Sequence, residues 1–504
     1  MNSSTKVLLI GLDSAEPELL QRWCEEGTLP VLRRLREHGR VVPITTPRGM
    51  GNGAVWPSLF TGVNPGRHGR YFRNPIVPGS YEPGHFDPDR GFLTRPFWED
   101  LSEAGRRVAV IDMVVAPLSP TVNGIQVADW TTHDAVGPPR STPSKLIAEI
   151  AQRFGSDPLH GNGDVPRDGD GYRELRDQLV ERVRTKTACA LHYLAQGPWD
   201  LFSVTYADPH DIGHQCWHLH DPTSPRHDPM LARAMGDPLR DVYVALDAAI
   251  GQLLEAVGPE TRVLVFSGPG MGPPYSANHL LETILRRLDA PRRTLQTRAL
   301  EIARGAYRHL VPARLRERPT APLAALAQRA HHAEMHGRRF FSVVNQQNAG
   351  AIRLNVVGRE PHGIVRPGAE FDAVCEELDT ELRALVNLDD GGPVVTDVVR
   401  LDRAFHGPAL ATMPDLLAVW RRDRPIERIA SPRIGELSGR RLTDIRTGDH
   451  TPNAELVACG PGLGSGRCPA PAAVEAIAPT IAAMLGVSLP DPDEAPIPLL
   501  VPSA

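Results

Sequence analysis

Two histidines spaced four residues apart are the first side chains in this sequence whose types and spacing suggest chemistry. His210 and His214 lie in the polar run Tyr206–His218, and on a helix this spacing places both imidazoles on one face. Neutral imidazoles suit Zn²⁺, so the pair is a candidate for part of a zinc site. Asp208 and Asp211 flank His210, as alternative ligands or as acceptors for an imidazole N–H. A polar, solvated loop after a strand is the other interpretation.

These side chains need a rigid scaffold, and the chain alternates short apolar runs with amphipathic helical patterns such as Glu18–His38, Pro96–Ala104 and Val242–Val257. The predicted strands are Val7–Leu12, Val108–Ile111, Leu201–Thr205, Val263–Ser267, Leu416–Trp420 and Ala454–Cys459. The alternation predicts an α/β fold with three α/β/α layers and a mainly parallel central sheet. Ligand sites in such sheets form at the carboxyl ends of strands. Asp13, Asp208 and Gly268 each follow a predicted strand, although an Asp there is also a common helix cap.

A long motif lies at residues Trp56–Gly69, which read WPSLFTGVNPGRHG. It resembles the Trp-x-Ser-x-x-Thr-Gly-x-x-Pro-x-x-His-Gly signature of type I phosphodiesterases and nucleotide pyrophosphatases in the alkaline phosphatase superfamily. Three later segments resemble blocks of the same group: Gly350–Pro361, Pro414–Leu417 and Gly448–Asn453. The resemblance spans most of the chain. It implies an alkaline-phosphatase-like fold and an enzyme that acts on phosphate or sulfate esters.

The resemblance also implies two metal ions that clamp a phosphoryl or sulfuryl group, but the sequence departs from that pattern. Asn52 occupies the position of the Thr or Ser nucleophile, and an amide cannot become an alkoxide. Gly268 and Pro269 occupy the positions of an Asp-His ligand pair, which leaves Asp13 as the remaining ligand of that metal site. We therefore predict that this second site is empty and that Asn52 orients the substrate.

The other metal site has a histidine in place of one of its usual ligands. On the resemblance, His210 stands at an Asp ligand position, His214 keeps its position, and His450 completes a three-His set. We predict one Zn²⁺ ion at this site. His133 is a further candidate that reaches the cleft to bind substrate. A loop histidine that is hydrogen-bonded to its neighbours is an equally good interpretation of His133.

Composition narrows the choice of partners. The 504 residues contain 55 Lys+Arg and 60 Asp+Glu, for a net charge of −5, which gives no reason to expect a nucleic-acid polymer as partner. The apolar run Val7–Leu12 is only strand-length, and no run approaches 18 apolar residues, so we expect neither a signal peptide nor a membrane span. The expectation is a cytoplasmic protein that binds a small phosphate or sulfate ester. The sequence leaves the oligomeric state open.

We expect a single domain over residues 1–504 that carries two insertions. The first covers about residues 118–195 and ends in a charged helical pattern, Tyr172–Gln196. The second covers about residues 277–338 and is Arg-rich and helical in pattern. Each is either a helical cap that covers the site and contacts an anionic substrate, or a helical insertion exposed to solvent.

Three functions fit these observations. The first is a metal-dependent hydrolase or transferase for a phosphodiester, nucleotide or sulfate-type ester, with one ion and without the usual Thr or Ser nucleophile. The second is a non-catalytic binding protein on the same fold, since the nucleophile and two ligands are lost together. The third is a group-transfer enzyme of secondary metabolism that moves another group. The exchange of Asp for His at position 210 keeps a ligand, which favours an active enzyme.

Overall fold

The computed structural model describes residues 6–501 except 73–74, 85–86, 88–90, 134, 136, 162, 291–334, 336, 347 and 440–444. The α-helices in the described residues are α1 Pro17–Glu25, α2 Pro30–His38, α3 Asn52–Thr61, α4 Pro65–His68, α5 Phe97–Glu103, α6 Leu146–Phe154, α7 Gly169–Leu194, α8 Asp208–His220, α9 Pro229–Met235, α10 Pro238–Ala256, α11 Asn278–Asp289, α12 Ala369–Arg383, α13 Leu401–Ala404 and α14 Ile477–Met484.

The strands follow the same numbering in chain order. They are β1 Val7–Leu12, β2 Arg40–Thr45, β3 Val108–Ile111, β4 Gly124–Ala128, β5 Arg140–Thr142, β6 Leu201–Tyr206, β7 Arg262–Phe266, β8 Met271–Gly272, β9 Phe340–Val343, β10 Ala349–Leu354, β11 Val386–Asn387, β12 Val395–Arg400, β13 Leu416–Trp420, β14 Arg428–Ser431, β15 Gly435–Ser438, β16 Asp449–His450, β17 Ala454–Cys459, β18 Gly466–Arg467 and β19 Ala472–Ala473.

A large sheet forms the centre of the molecule, in the order β18-β2-β17-β7-β1-β6-β3-β4-β5, with β19 beside β2. The strands around β1 run parallel, because β1 pairs in parallel with both β6 and β7, and β3 with both β6 and β4. β1 and β6 are buried along their whole length, as expected for strands covered on both faces. Apolar clusters lie on each side of the sheet. The predicted α/β architecture with a mainly parallel sheet is therefore confirmed.

Two local predictions need correction. The strand Leu416–Trp420 does not join the central sheet but lies in a separate antiparallel sheet, in the order β12-β13-β10-β9. That sheet has its own apolar core with α11 and α12. The continuous helical pattern predicted over Glu18–His38 is two helices, because the segment Gly27–Leu29 breaks it and Pro30 starts α2.

The segment 118–195 is built into the scaffold. β4 extends the central sheet in parallel beside β3, and β5 pairs with β4. The long helix α7 packs against α8 and α10. Helix α7 has buried residues on several turns, so it forms part of the layer that covers the sheet.

The second predicted insertion falls mostly outside the described residues. Its first part is α11, which packs on β9 and β10. Among the described residues, no helix combines the length and the apolar content needed to cross a membrane.

Candidate metal centre and active site

The candidate site lies where the central strands end. Asp13 directly follows β1, and α8 begins with Asp208 two residues after β6. Asn52 is the first residue of α3, and His450 lies in β16. His133 comes from the loop that follows β4. All five side chains are buried, so the chain brings them from distant parts of the sequence to the carboxyl edge of one sheet.

His210, His214 and His450 form a compact group. One ligand nitrogen from each lies within 4.8 Å of those of the other two, and their ring centroids are 4.5, 4.8 and 4.9 Å apart. Both His210 and His214 come from α8, where the predicted i, i+4 spacing puts them on one face.

The hydrogen bonding of His214 suits a metal ligand. Its Nδ1 donates to the carbonyl oxygen of Gly448 at 2.8 Å, which fixes the proton on Nδ1. The Nε2 atom then carries a free lone pair, and among the described residues it is buried without a hydrogen-bond partner. A buried acceptor of this kind is costly unless something binds it. This set of three imidazoles therefore fits a Zn²⁺ ion.

The imidazoles are held in the form that binds metals. Burial is the largest cause in each case: it lowers the pKa of His450 to about 4 and holds the pKa values of His210 and His214 well below the ordinary value. Neutral histidine is the ligand form of the side chain. The three groups are therefore neutral and available to a metal at neutral pH.

Asp13 is fully buried and surrounded by polar atoms. Trp56 Nε1 donates to Oδ1 at 2.7 Å, and Asn52 Nδ2 donates to Oδ2 at 3.2 Å. His133 Nδ1 and His210 Nδ1 lie 2.9 and 3.2 Å from Oδ2. Burial by itself would raise the pKa of Asp13, but His133 and the Trp56 hydrogen bond outweigh it, so the pKa is below the ordinary value. Asp13 is therefore a carboxylate.

Asn52 sits against this carboxylate. Its side chain is 2% exposed, and besides its bond to Asp13 its Nδ2 lies 2.9 Å from His210 Nδ1. Its Oδ1 is buried without a hydrogen-bond partner among the described residues. The amide thus occupies the nucleophile position as a polar group that makes contacts but cannot attack.

Asp208 and Asp211 both form ion pairs with an arginine. Arg182 on α7 donates from Nε to Asp208 Oδ1 at 2.8 Å and from Nη2 to Asp211 Oδ2 at 2.5 Å. Burial alone would lower the pKa of Arg182, but the two aspartates raise it above the ordinary value. The Oδ2 atom of Asp208 is buried without a hydrogen-bond partner among the described residues, so the ligand or acceptor roles of Asp208 and Asp211 stay predictions beside this ion pairing.

Gly268 and Pro269 supply no ligand. Gly268 adopts φ +65°, and a Cβ built on it would lie 2.9 Å from the backbone nitrogen of Ser14. That position has no room for a longer side chain unless the backbone moves. Positions 268 and 269 therefore cannot provide the Asp-His pair of metal ligands that the resemblance implies.

His133 lies in the cleft. Its ring stacks on that of His210, with centroids 3.5 Å apart and planes 25° apart. One ligand atom from each of Asp13, His133 and His210 lies within 4.8 Å of the others. The interpretation in which His133 is only a loop histidine bonded to its neighbours does not account for this placement.

Sequence reasoning missed Ser14, Arg182 and Lys186. Ser14 Oγ lies 3.3 Å from His210 Nδ1 and 3.2 Å from His450 Nδ1, and its φ of +64° is unusual for a serine. Lys186 contacts Asp112 at 3.1 Å and donates to the carbonyl oxygen of Thr131, near His133. The sequence carries a signal for Lys186 alone, as one of only three lysines among many arginines.

A three-layer α/β scaffold carries buried imidazoles and a carboxylate at the carboxyl edge of its sheet. The sequence model of the family "Type I phosphodiesterase / nucleotide pyrophosphatase" matches residues 7–423, and the chain belongs to this family. It is therefore a phosphohydrolase-like enzyme of the alkaline phosphatase superfamily. The resemblance seen in the motifs within residues 7–423 is thereby confirmed, whereas the segment Gly448–Asn453 lies beyond the matched range. A search of curated proteins gave no match.

Solved structures support the fold. Phosphonoacetate hydrolase from Sinorhizobium meliloti, in complex with phosphonoformate, is similar with a TM-score of 0.56 at 14% identity, over 97% of this chain and 96% of that chain. Its complex with phosphonoacetate gives a TM-score of 0.56 at 12% identity over the same shares. Murine ectonucleotide pyrophosphatase/phosphodiesterase 5 in complex with AMP matches with a TM-score of 0.48 at 12% identity, over 96% of each chain. At these identities the first two matches show a shared fold.

Proposed function

We propose that this chain is a metal-dependent hydrolase or transferase for a phosphodiester, nucleotide or sulfate-type ester, with a Zn²⁺ ion held by His210, His214 and His450. The observation that carries the proposal is the buried Nε2 of His214, which has no hydrogen-bond partner among the described residues. His214 also shares a group of ligand atoms within 4.8 Å with two other neutral imidazoles. Membership of the type I phosphodiesterase / nucleotide pyrophosphatase family supports a phosphate ester as substrate. The small phosphonates bound to the phosphonoacetate hydrolase support a small anionic ligand.

A Zn²⁺ ion in this site would polarise the ester and lower the pKa of water to about 7. The protein's own groups bind and orient. Asn52 stands where a nucleophile is expected, and its amide serves as a donor to a non-bridging oxygen of the substrate. Asp13, fixed by Trp56, holds that amide in place. The reaction therefore proceeds without a covalent intermediate on residue 52.

A group-transfer enzyme of secondary metabolism is the second candidate. The observation that favours it is Asn52 itself, because a site without its hydroxyl nucleophile is free to use another acceptor. The non-catalytic alternative fits less well. A binding protein has no need for three buried imidazoles that converge with a free lone pair.

Metal analysis and an ester panel test the proposal together. Purified wild-type protein should contain zinc, and His214→Ala should contain one ion fewer per chain. The panel should include phosphomonoesters, phosphodiesters, nucleotides and sulfate esters, each with and without added alcohol acceptors. Hydrolysis lost in His214→Ala supports the hydrolase, whereas product formation only with an acceptor supports the transferase. Equal metal content in both proteins would refute the three-His site.

A further inference from the structure

Beside the group of three histidines, the site contains a second group of atoms that could bind a metal ion. It is centred on Asp13 Oδ2, which lies 2.9 Å from His133 Nδ1 and 3.2 Å from Asn52 Nδ2. All three side chains are buried. They come from the end of β1, the start of α3 and the loop after β4, so no single loop conformation explains their meeting.

The spacing of these atoms matches a coordination polyhedron. Ligands that share an ion at about 2.0–2.2 Å lie roughly 2.9–3.6 Å from one another. The contacts of Asp13 with His133 and Asn52 fall in that range, as does the distance of 2.9 Å between Asn52 Nδ2 and His210 Nδ1. Oxygen and imidazole ligands in this mixture suit Zn²⁺ and Mn²⁺.

Two further observations point to a cation. Among the described residues, no Arg or Lys lies within 4.0 Å of the buried Asp13 carboxylate, whose nearest basic neighbours are the imidazoles of His133 and His210. A buried carboxylate needs a paired charge or a metal. Separately, Asn52 Oδ1 is buried with no partner in the described part of the chain. A half-turn of the Asn52 amide exchanges its oxygen and nitrogen and turns Oδ1 toward Asp13, His133 and His210 without moving the backbone.

We propose that Asp13, His133 and the Asn52 amide oxygen bind a second divalent cation, so that a ligand from the 118–195 segment replaces the pair lost at Gly268 and Pro269. The proposal deepens the proposed function and replaces the sequence-based expectation of an empty second site. In that orientation, coordination to the ion replaces the hydrogen bond between Asn52 Nδ2 and Asp13, and Nδ2 lies on the opposite side of the amide as a donor. His210 lies between the two groups of ligands, because its ring stacks on that of His133 and contacts those of His214 and His450.

The test is metal stoichiometry without substrate. Metal-free protein is titrated with Mn²⁺, and bound ions are counted by equilibrium dialysis. Wild type should bind two ions per chain, and His133→Ala and His214→Ala should each bind one. His38→Ala, which removes an exposed histidine at the end of α2, is the matched control and should bind two. Electron paramagnetic resonance should show a spin-coupled Mn²⁺ pair in wild type, with ions about 3.5–4 Å apart, and isolated ions in the two site variants.

Asp13→Asn gives a second route to the answer if His133→Ala does not fold, because it keeps the shape and the Trp56 hydrogen bond but removes the charge. Melting in the presence of a chelator identifies variants that are folded before metal is added. One ion per chain in wild type, or two in both His133→Ala and Asp13→Asn, would overturn the proposal and favour a simple ion pair between Asp13 and a protonated His133. An inactive protein that binds two ions would refute the proposed function and leave the second site standing.

Discussion

At the residue scale, Asn52 decides which chemistry is open to the enzyme. It occupies the position where the family signature expects a Thr or Ser, and its amide lies between Asp13 and His210. An amide can donate and accept hydrogen bonds but cannot form a phosphoryl ester and release it. Turnover must therefore use water or another acceptor directly.

Asn52→Ala should lower turnover about 10²-fold, because it removes a donor to the reacting group. The measurement is steady-state kinetics, followed by quenching of the wild-type protein with substrate present and mass spectrometry of the intact chain. A phosphorylated or sulfated side chain would contradict direct attack.

His68 provides a residue-scale prediction remote from the metal centre. Its Nδ1 accepts from the backbone N–H of Arg70 and its Nε2 lies 3.2 Å from Ser58 Oγ. Burial lowers its pKa to about 3 from an ordinary value near 6.5. The unfolded chain therefore binds the proton more readily than the folded one between these pH values. Each unit that the pH falls in this window should cost about 1.4 kcal/mol of stability.

His68→Gln should be less sensitive to acid than wild type in this window. The free energy of unfolding of the metal-free proteins, measured with urea at pH 7, 6, 5 and 4, gives the two slopes. His38→Gln changes an exposed histidine and should keep the wild-type slope. Parallel slopes for wild type and His68→Gln would show that His68 does not carry this dependence.

At the element scale, α7 positions the helix that carries two of the proposed metal ligands. Arg182 projects from α7 and binds Asp208 and Asp211, which lie on either side of His210 in α8. One turn further along α7, Lys186 binds Asp112 and the backbone near His133. Helix α7 thus supports the site through two charged side chains, Arg182 and Lys186, which are buried rather than exposed to solvent.

Arg182→Met should destabilise the protein by about 3–5 kcal/mol, since it leaves two buried carboxylates without their cation. It should also weaken metal binding about 10–100-fold through the misplaced α8. Chemical unfolding and metal titration measure the two effects. Arg184→Met, two residues away with a side chain that is 73% exposed, is the control and should behave like wild type.

Changing Asp208 and Asp211 to Asn in the Arg182→Met background should recover part of the lost stability, because the uncompensated charges are gone. Metal affinity that stays at the wild-type level in Arg182→Met would contradict the positioning role of Arg182 even if stability falls.

At the scale of the whole molecule, the metal centre joins distant parts of the chain. His450 lies in β16, which pairs with β8, and the carbonyl oxygen of Gly448 fixes His214 on α8. A bound ion therefore ties the C-terminal segment to the centre of the sheet. Ligands that bind only the folded state stabilise it in proportion to the logarithm of their concentration over Kd.

Chelation should lower the melting temperature of wild-type protein, and added Zn²⁺ should restore it in a concentration-dependent way. At a Zn²⁺ concentration of roughly 1,000 Kd the expected stabilisation is about 4 kcal/mol. Calorimetry with and without chelator measures the change, and His214→Ala should respond much less than wild type. If neither chelator nor zinc changes the melting temperature of the wild-type protein, no metal is coupled to its folding.

The sequence by itself determined the scaffold and part of the site. Apolar strands of four to six residues between amphipathic helices predict a parallel sheet, because burial on both faces leaves no polar alternation. The family motifs fix the positions of Asn52 and the late histidine, and the i, i+4 spacing places His210 and His214 on one helix face. The metal roles of these residues stay predictions, whereas the fold and the family are confirmed.

Only the tertiary structure decided what surrounds these residues. The sequence suggests Asp208 and Asp211 as possible metal ligands, but it does not show that both form ion pairs with Arg182 from another helix. His133 has no informative neighbours in sequence, yet the pairing of β4 with β3 brings its loop to Asp13. Local spacing is set by the period of one helix or strand, whereas partners across the site are set by strand order and helix packing. Those long-range pairings leave no periodic signal in a single sequence.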